Sequence, residues 1–245
     1  MNEIESFERE KLENIKNMGS NQSLREFGLT FLKETQRDKY SHNFTWLGRP
    51  IIQMPQDIIA MQEIIWKVKP DLIIETGIAH GGSLVFYASM MELMGGDGNV
   101  LGIDIDIRKH NRVEIEKHPM FKRITIFQGS SVDEDIVKKV NGIAKGKKTV
   151  LVALDSNHTH DHVLQEMRLY SSLVTKGSYL VVFDTTIEDV PDDLFKDRPW
   201  GRGNNPRTAI KKFLQENNRF VVDKEIADKL VISVVLDGYL KCVKD

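Results

Sequence analysis

Five residues able to bind a metal or move a proton fall within eight positions of this chain: Asp155, His158, His160, Asp161 and His162, in TVLVALDSNHTHDH. The apolar run before Asp155 reads as a buried strand, and in a parallel sheet ligands bind just past the carboxyl ends of the strands. A carboxylate there faces a cleft, and a histidine three residues later returns over the same cleft if the loop turns into a helix. Asp155 is then a candidate metal ligand and His158 a candidate general base. A second run, SYLVVFD, ends in Asp184. If the two strands are neighbours, Asp155 and Asp184 offer two oxygen ligands to one cation, and Mg2+, which keeps much of its hydration, suits such a pair. Zinc on the three histidines is the alternative. Their spacing does not put all three on one helix face, although His158 and His162 can share one, and the nearby acids favour a harder ion. For His160 and His162 a structural role stands beside the chemical one, with Thr159 or Asp161 capping a helix.

Upstream, DLIIETGIAHGGS joins an apolar run to an acid and then to glycines at 77, 81 and 82. This is a strand delivering a ligand loop to a helix start. The dinucleotide fingerprint G-x-G-x-x-G is absent, and Glu75 would set a negative charge where a pyrophosphate should lie. A cationic ligand fits better. S-adenosylmethionine (SAM) has a sulfonium and an amino group but no phosphate, so an acid beside the turn attracts it. Glu75 could equally cap a neighbouring loop. Next, NVLGIDID ends in Asp104 and Asp106, and an acid there can take both ribose hydroxyls. RITIFQGSS closes on small residues that let an adenine approach the backbone.

These loops need a frame, and the chain supplies one by alternation. Strands are expected at 72–76, 99–104, 123–128, 149–154 and 178–183, with helices near 82–94, 108–117, 132–140 and 160–173 between them. Such alternation predicts a mainly parallel sheet covered on both faces. RFVVDK and LVISVVLDGYLKCV predict an antiparallel pair at the sheet's edge. The fold class is therefore α/β and Rossmann-like, with seven strands, an antiparallel edge strand and an N-terminal helical arm over residues 1–45. The domain proper is expected over 46–245. Trp66, on the helical MPQDIIAMQEIIWKV, reads as core.

The 245 residues carry 34 basic and 36 acidic side chains, for a net charge of -2, which gives no general reason to expect nucleic acid or an anionic membrane as partner. One cysteine, Cys242, excludes an intramolecular disulfide, and no long apolar span or leader-type segment is visible. A cytoplasmic protein is expected, and a homo-oligomer in which the N-terminal helices and Trp46 contribute to an interface. The long segment TTIEDVPDDLFKDRPWGRGNNP is expected above the cleft. There Trp200 can stack on a sugar or ring, with Arg198, Arg202 and Asn204 as donors. An oligomer contact is the other reading of this loop.

Taken together, WLGRPIIQMPQD, IIETGIAHGGSLVFYAS, GIDIDIRKHNR, HPMFKRI, GSS, LDSNHTHDHV, EMRLY, GSYLVVFDT and DRPWGRGNNP resemble the family that groups cephalosporin hydroxylases with rhamnosyl O-methyltransferases. The resemblance spans residues 45–215. It implies a SAM-dependent methyltransferase fold and methyl transfer to a hydroxyl of a small-molecule or glycan acceptor, assisted by Mg2+. On it, Glu75, Gly77, Ala79 and Ser83 match the cofactor loop, Asp104 and Ile105 the ribose segment, and Ser130 and Ser131 the adenine edge. Asp155, which also borders the cofactor, and Asp184 match metal ligands, with Thr185 able to complete the shell, and His158 matches the base; apart from the resemblance, Asp161 is a candidate to orient that histidine. One departure stands out. Similar sites have an adjacent acidic pair at the end of the fifth strand, whereas here Phe183 precedes Asp184. An NAD-dependent oxidoreductase or hydroxylase, and a SAM-binding subunit without catalysis, are the other function classes.

Overall fold

The computed structural model describes residues 2–245. Two amphipathic helices open the chain, α1 (Glu3–Ser20) and α2 (Gln22–Gln36), each started by an asparagine whose side chain accepts a backbone N–H of the first turn. A 3-10 turn (Tyr40–Asn43) leads to a small hairpin of β1 (Thr45–Trp46) and β2 (Arg49–Pro50), then to α3 (Pro55–Val68) with proline at its first position. The alternating part follows: β3 (Leu72–Thr76), α4 (Gly82–Met94), β4 (Asn99–Asp104), α5 (Lys109–Lys117), β5 (Ile124–Gln128), α6 (Glu134–Ala144), β6 (Val150–Leu154), α7 (His160–Tyr170) and β7 (Tyr179–Val182). The chain ends with α8 (Pro206–Glu216), β8 (Phe220–Val222), α9 (Lys224–Lys229) and β9 (Tyr239–Cys242).

One seven-stranded sheet forms the centre, in the order β5-β4-β3-β6-β7-β9-β8. All pairs from β5 to β7 are parallel, and β9 runs antiparallel to both β7 and β8. The pair expected at the edge is thus present, with β9 inserted inside β8. Alternation of side chains sorts β3 between two cores. Ile73 packs with Met61, Ile65 and Phe86 of α3 and α4, whereas Leu72 and Ile74 pack with Val140, Met167 and Phe213 of α6, α7 and α8.

The strand order reverses between β3 and β6, because the chain proceeds outward through β4 and β5 and then returns to the other side of β3. Loops leaving the carboxyl ends of β3 and β6 therefore diverge in opposite directions and leave a crevice between them. Gly77 leaves β3 at φ 81°, and a Cβ on it would lie 2.0 Å from the carbonyl oxygen of Asp155. Only glycine lets these two loops approach so closely.

The segment 230–236, expected as strand, is a loop. Its partner is a buried acid on α3: Asp57 accepts from the Ser233 hydroxyl at 2.5 Å, from Val234 N–H at 3.0 Å and from the Tyr239 hydroxyl at 2.8 Å. The Val234 carbonyl in turn accepts from Thr185 N–H, so this loop is tied over the end of β7 rather than paired in the sheet. One tryptophan expectation also changes. Trp66 is 56% exposed, with the Lys69 ammonium over its ring, because it sits on the outer face of α3. Trp46 packs within the chain, edge-on to Phe86 and donating to the Ser89 hydroxyl.

Candidate active site

A cleft of about 500 Å³ opens at the carboxyl ends of the strands, a size suited to a small ligand and part of an acceptor. Its floor is the β3 and β6 loops, with Gly77, Ile78, Ala79 and Ser83 on one side and Asp155, Ser156 and His158 on the other. Asp104 closes it at the end of β4, and Asp184 at the end of β7. The long segment 185–206, the lid, adds Leu194, Phe195, Arg198 and Trp200 to the lining, and the end of α2 with the turn after it adds Leu32, Lys39 and His42.

Asp155, His158 and Asp184 each present one donor atom within 4.8 Å of the other two. His158 Nε2 lies 3.1 Å from an Asp184 carboxylate oxygen. Burial, followed by the charge of Asp184, pushes the Asp155 carboxyl well above the usual carboxylate range. Carboxylates crowded in this way bind a proton or a cation. The two carboxylates therefore fit a divalent ion, with the His158 imidazole beside it. Asp184 itself has φ 54°, a left-handed conformation that aspartate tolerates better than most residues and that turns its side chain at the strand end.

The other histidines separate from this cluster. His160 Nδ1 is 2.8 Å from the Thr208 hydroxyl on α8, and His162 Nε2 is 3.2 Å from the hydroxyls of Ser131 and Ser156, beside buried Glu166. Both serve packing, and the three-histidine zinc reading is overturned by this divergence. Asp161 is exposed on the first turn of α7, so Asp184 rather than Asp161 orients His158.

The cofactor-loop candidates converge with one qualification each. Asp104 accepts from Ile78 N–H at 2.9 Å and Ala79 N–H at 3.3 Å through one oxygen, and from Asp106 N–H at 2.9 Å through the other. It fixes the glycine loop while lining the cleft. Ala79 is held at φ 43° in that loop. Ile105 is 73% exposed beside Asp104, an apolar face open to a ring. Glu75 is fully buried beneath the loop, accepting from Ser83 Oγ at 2.7 Å, and burial pushes its carboxyl up to about 8. The open negative charge expected from sequence is therefore replaced by a largely protonated group under the loop. Ser131 is buried toward His162, and Ser130 Oγ accepts from Val132 N–H, so these side chains shape the turn after β5.

Thr185 is corrected as a metal ligand: it is buried and its hydroxyl donates to the Val234 carbonyl. Within the lid, Trp200 packs edge-on against His158, ring centroids 4.8 Å apart, and Arg198 lies over Trp200. Asn204 instead accepts from His160 N–H and caps α7, and Arg202 lies exposed outside the cleft lining. The α2 wall was not anticipated. Lys39, Ser41 and His42 have no motif, and only tertiary packing brings them to the cleft.

The profile of the rhamnosyl O-methyltransferase/CmcI family matches residues 38–243. The chain belongs to this family. A rhamnosyl O-methyltransferase of Mycobacterium bovis is 30% identical over 203 residues, 80% of this chain and 77% of that one. One from Mycobacterium leprae is 31% identical over 150 residues, 60% of this chain and 62% of its own. Among solved structures, apo CmcI superposes with a TM-score of 0.60 at 19% identity, over 83% of this chain and 78% of that one. The O-methyltransferase TomG from Streptomyces achromogenes, in complex with SAM, gives 0.54 at 12% identity, over 89% and 90%. A CmcI structure described as holding Mg and SAM gives 0.59 at 19%, over 83% and 78%. These neighbours share the fold, that of SAM-dependent methyltransferases. As a rhamnosyl O-methyltransferase/CmcI family member with that sheet, the chain is a SAM-dependent O-methyltransferase.

Proposed function

We propose that the protein methylates a hydroxyl of a sugar, on a nucleotide sugar, glycolipid or polysaccharide precursor, with Mg2+ bound by Asp155 and Asp184. The observation that carries this reading is the approach of Asp155, His158 and Asp184 in the cleft that the glycine loop also lines. The names of the mycobacterial relatives support the sugar, and the CmcI structure with Mg and SAM supports the ion.

SAM, when bound, supplies a methyl group already activated on a sulfonium, and Mg2+ would supply a Lewis acid that makes a hydroxyl more acidic. The chain adds alignment and proton removal. Asp104 and the 77–83 loop hold the cofactor end of the cleft. His158, donating Nε2–H to Asp184, keeps its Nδ1 lone pair to accept the hydroxyl proton, and the Asp184 carboxylate stabilises the resulting imidazolium. Trp200 fixes the imidazole plane from the lid. With Phe183 in place of an acid, Asp155 and Asp184 are the two carboxylates that would hold the ion, and His158 is left to move the proton.

The single cysteine is buried and unpaired, and no helix among the described residues is long and apolar enough to cross a membrane. We place the enzyme in the cytoplasm, a compartment that suits an unpaired cysteine, and infer a homo-oligomer. The test is mass spectrometry of a sugar-acceptor panel with SAM, in which a methylated product is expected. His158→Ala should lower turnover roughly a hundredfold or more with SAM affinity unchanged, whereas Asp104→Ala should chiefly weaken SAM. The opposite pattern rejects the assignment of these residues.

A further inference from the structure

The chemistry of the cleft changes with depth. Its floor carries three carboxylates, Asp104, Asp155 and Asp184, while its mouth carries two basic side chains from distant parts of the sequence, Lys39 after α2 and Arg198 on the lid. Three arginines on neighbouring elements already have partners. Arg37 pairs with Asp193 at 3.9 Å, Arg207 with Asp189 at 2.6 Å, and Arg49 donates to the His80 carbonyl at 2.6 Å. Among the described residues, neither Lys39 nor Arg198 has a carboxylate within ion-pair distance, although acids are abundant on the lid. Arg198 lies with its guanidinium carbon 5.2 Å from the Trp200 ring centroid, and a guanidinium stacked in this way keeps its N–H edge for an acceptor. Burial and the Lys39 charge hold the His42 imidazole below its ordinary range, so the Lys39 charge is felt inside the cleft.

We propose that Lys39 and Arg198 form an anion subsite for a phosphate or diphosphate ester on the acceptor, whose sugar then reaches down to His158. This rests on the methyl-transfer reading of the same site. Two cations lining one cleft balance a doubly charged group, and the arginine fork matches phosphate geometry. With the phosphate held at the mouth by these two cations, the acceptor's hydroxyl is left to face the floor, where His158 lies. The N-terminal arm is thereby part of the acceptor site, supplying one of the two cations.

The experiment is calorimetric titration of the full chain, with and without saturating S-adenosylhomocysteine, in a chelator so that no divalent ion bridges the ligand. The probes are UDP against uridine, and glucose 1-phosphate against glucose. The expected result is that at least one phosphorylated probe binds roughly tenfold or more tightly than its neutral counterpart. Lys39→Gln and Arg198→Gln should each remove about tenfold of that preference, Arg198→Lys should keep most of it, and Lys196→Gln on the same lid should leave it intact. Binding of glucose 1-phosphate supports a sugar phosphate, and binding of UDP alone supports a nucleoside diphosphate sugar. Equal binding of charged and neutral probes, no binding of either phosphorylated probe, or an undiminished preference in both Gln variants overturns the subsite. Failure of S-adenosylhomocysteine to bind counts instead against the methyl-transfer reading, because the phosphate comparison also runs without it.

Discussion

Replacing Gly77 by alanine tests whether the contact between the β3 and β6 loops builds the site. The residue sits at φ 81°, and the added Cβ would lie 2.0 Å from the Asp155 carbonyl oxygen and 2.7 Å from Ser156 Cα. Gly146 provides the comparison, since it has the same φ of 81° and no atom within 4 Å of the Cβ position. Gly146→Ala therefore registers only the left-handed backbone, ~1–2 kcal/mol. Gly77→Ala adds a backbone collision that no rotamer relieves, ~1–3 kcal/mol more, for a total of ~2–5 kcal/mol. In thermal unfolding, each kcal/mol should appear as a fall of roughly 2–4 °C in Tm. Calorimetry should show SAM affinity kept in Gly146→Ala and lost in Gly77→Ala, because the collision pushes Asp155 and Ser156 out of the cleft floor. Equal destabilisation of the two variants, or normal SAM binding by Gly77→Ala, would refute the reasoning.

Glu75 should make stability depend on pH. Its carboxyl is raised from 4.5 to about 8 in the folded chain, so the folded state holds a proton that the unfolded state releases between those values. Its contribution is complete below about pH 4.5 and is lost as pH rises through about 8, a change of up to a few kcal/mol. Denaturant midpoints should show Glu75→Gln gaining on the parent between about pH 5 and about pH 8.5, and a constant difference would remove the basis for this prediction. Asp57→Ala leaves the Ser233 and Tyr239 hydroxyls and Val234 N–H without their acceptor, which should cost ~3 kcal/mol or more. Limited proteolysis should then cut within 230–236, and an unchanged digestion pattern would mean that Asp57 does not hold this loop.

What the sequence disclosed was what local pattern determines. The strands before Glu75, Asp104, Asp155 and Asp184 are short apolar runs ended by an acid, so both the sheet and the points where it delivers chemistry were legible. The meeting of Asp155, His158 and Asp184 follows from strand order. Side-chain direction after a strand end was not legible. Thr185 adjoins Asp184 yet turns to Val234, and Asn204 on the lid caps a helix begun 44 residues earlier. The loop at 230–236 looks like a strand because its apolar content is high, but Asp57, 176 residues away from Ser233, supplies acceptors that a ladder would otherwise provide. The arm carries no motif, and Lys39 and His42 gain their position only when α2 packs beside the cleft.

The central claim is that the crevice at the strand reversal holds SAM, with a divalent ion between Asp155 and Asp184. It is tested most directly by calorimetric titration of the full chain with SAM and with NADH, each with Mg2+ and after chelation. One-to-one SAM binding with no NADH binding, and a separate Mg2+ isotherm that disappears in Asp184→Asn, is the predicted result. Absence of SAM binding in every metal state, or binding of NADH in its place, would contradict the account.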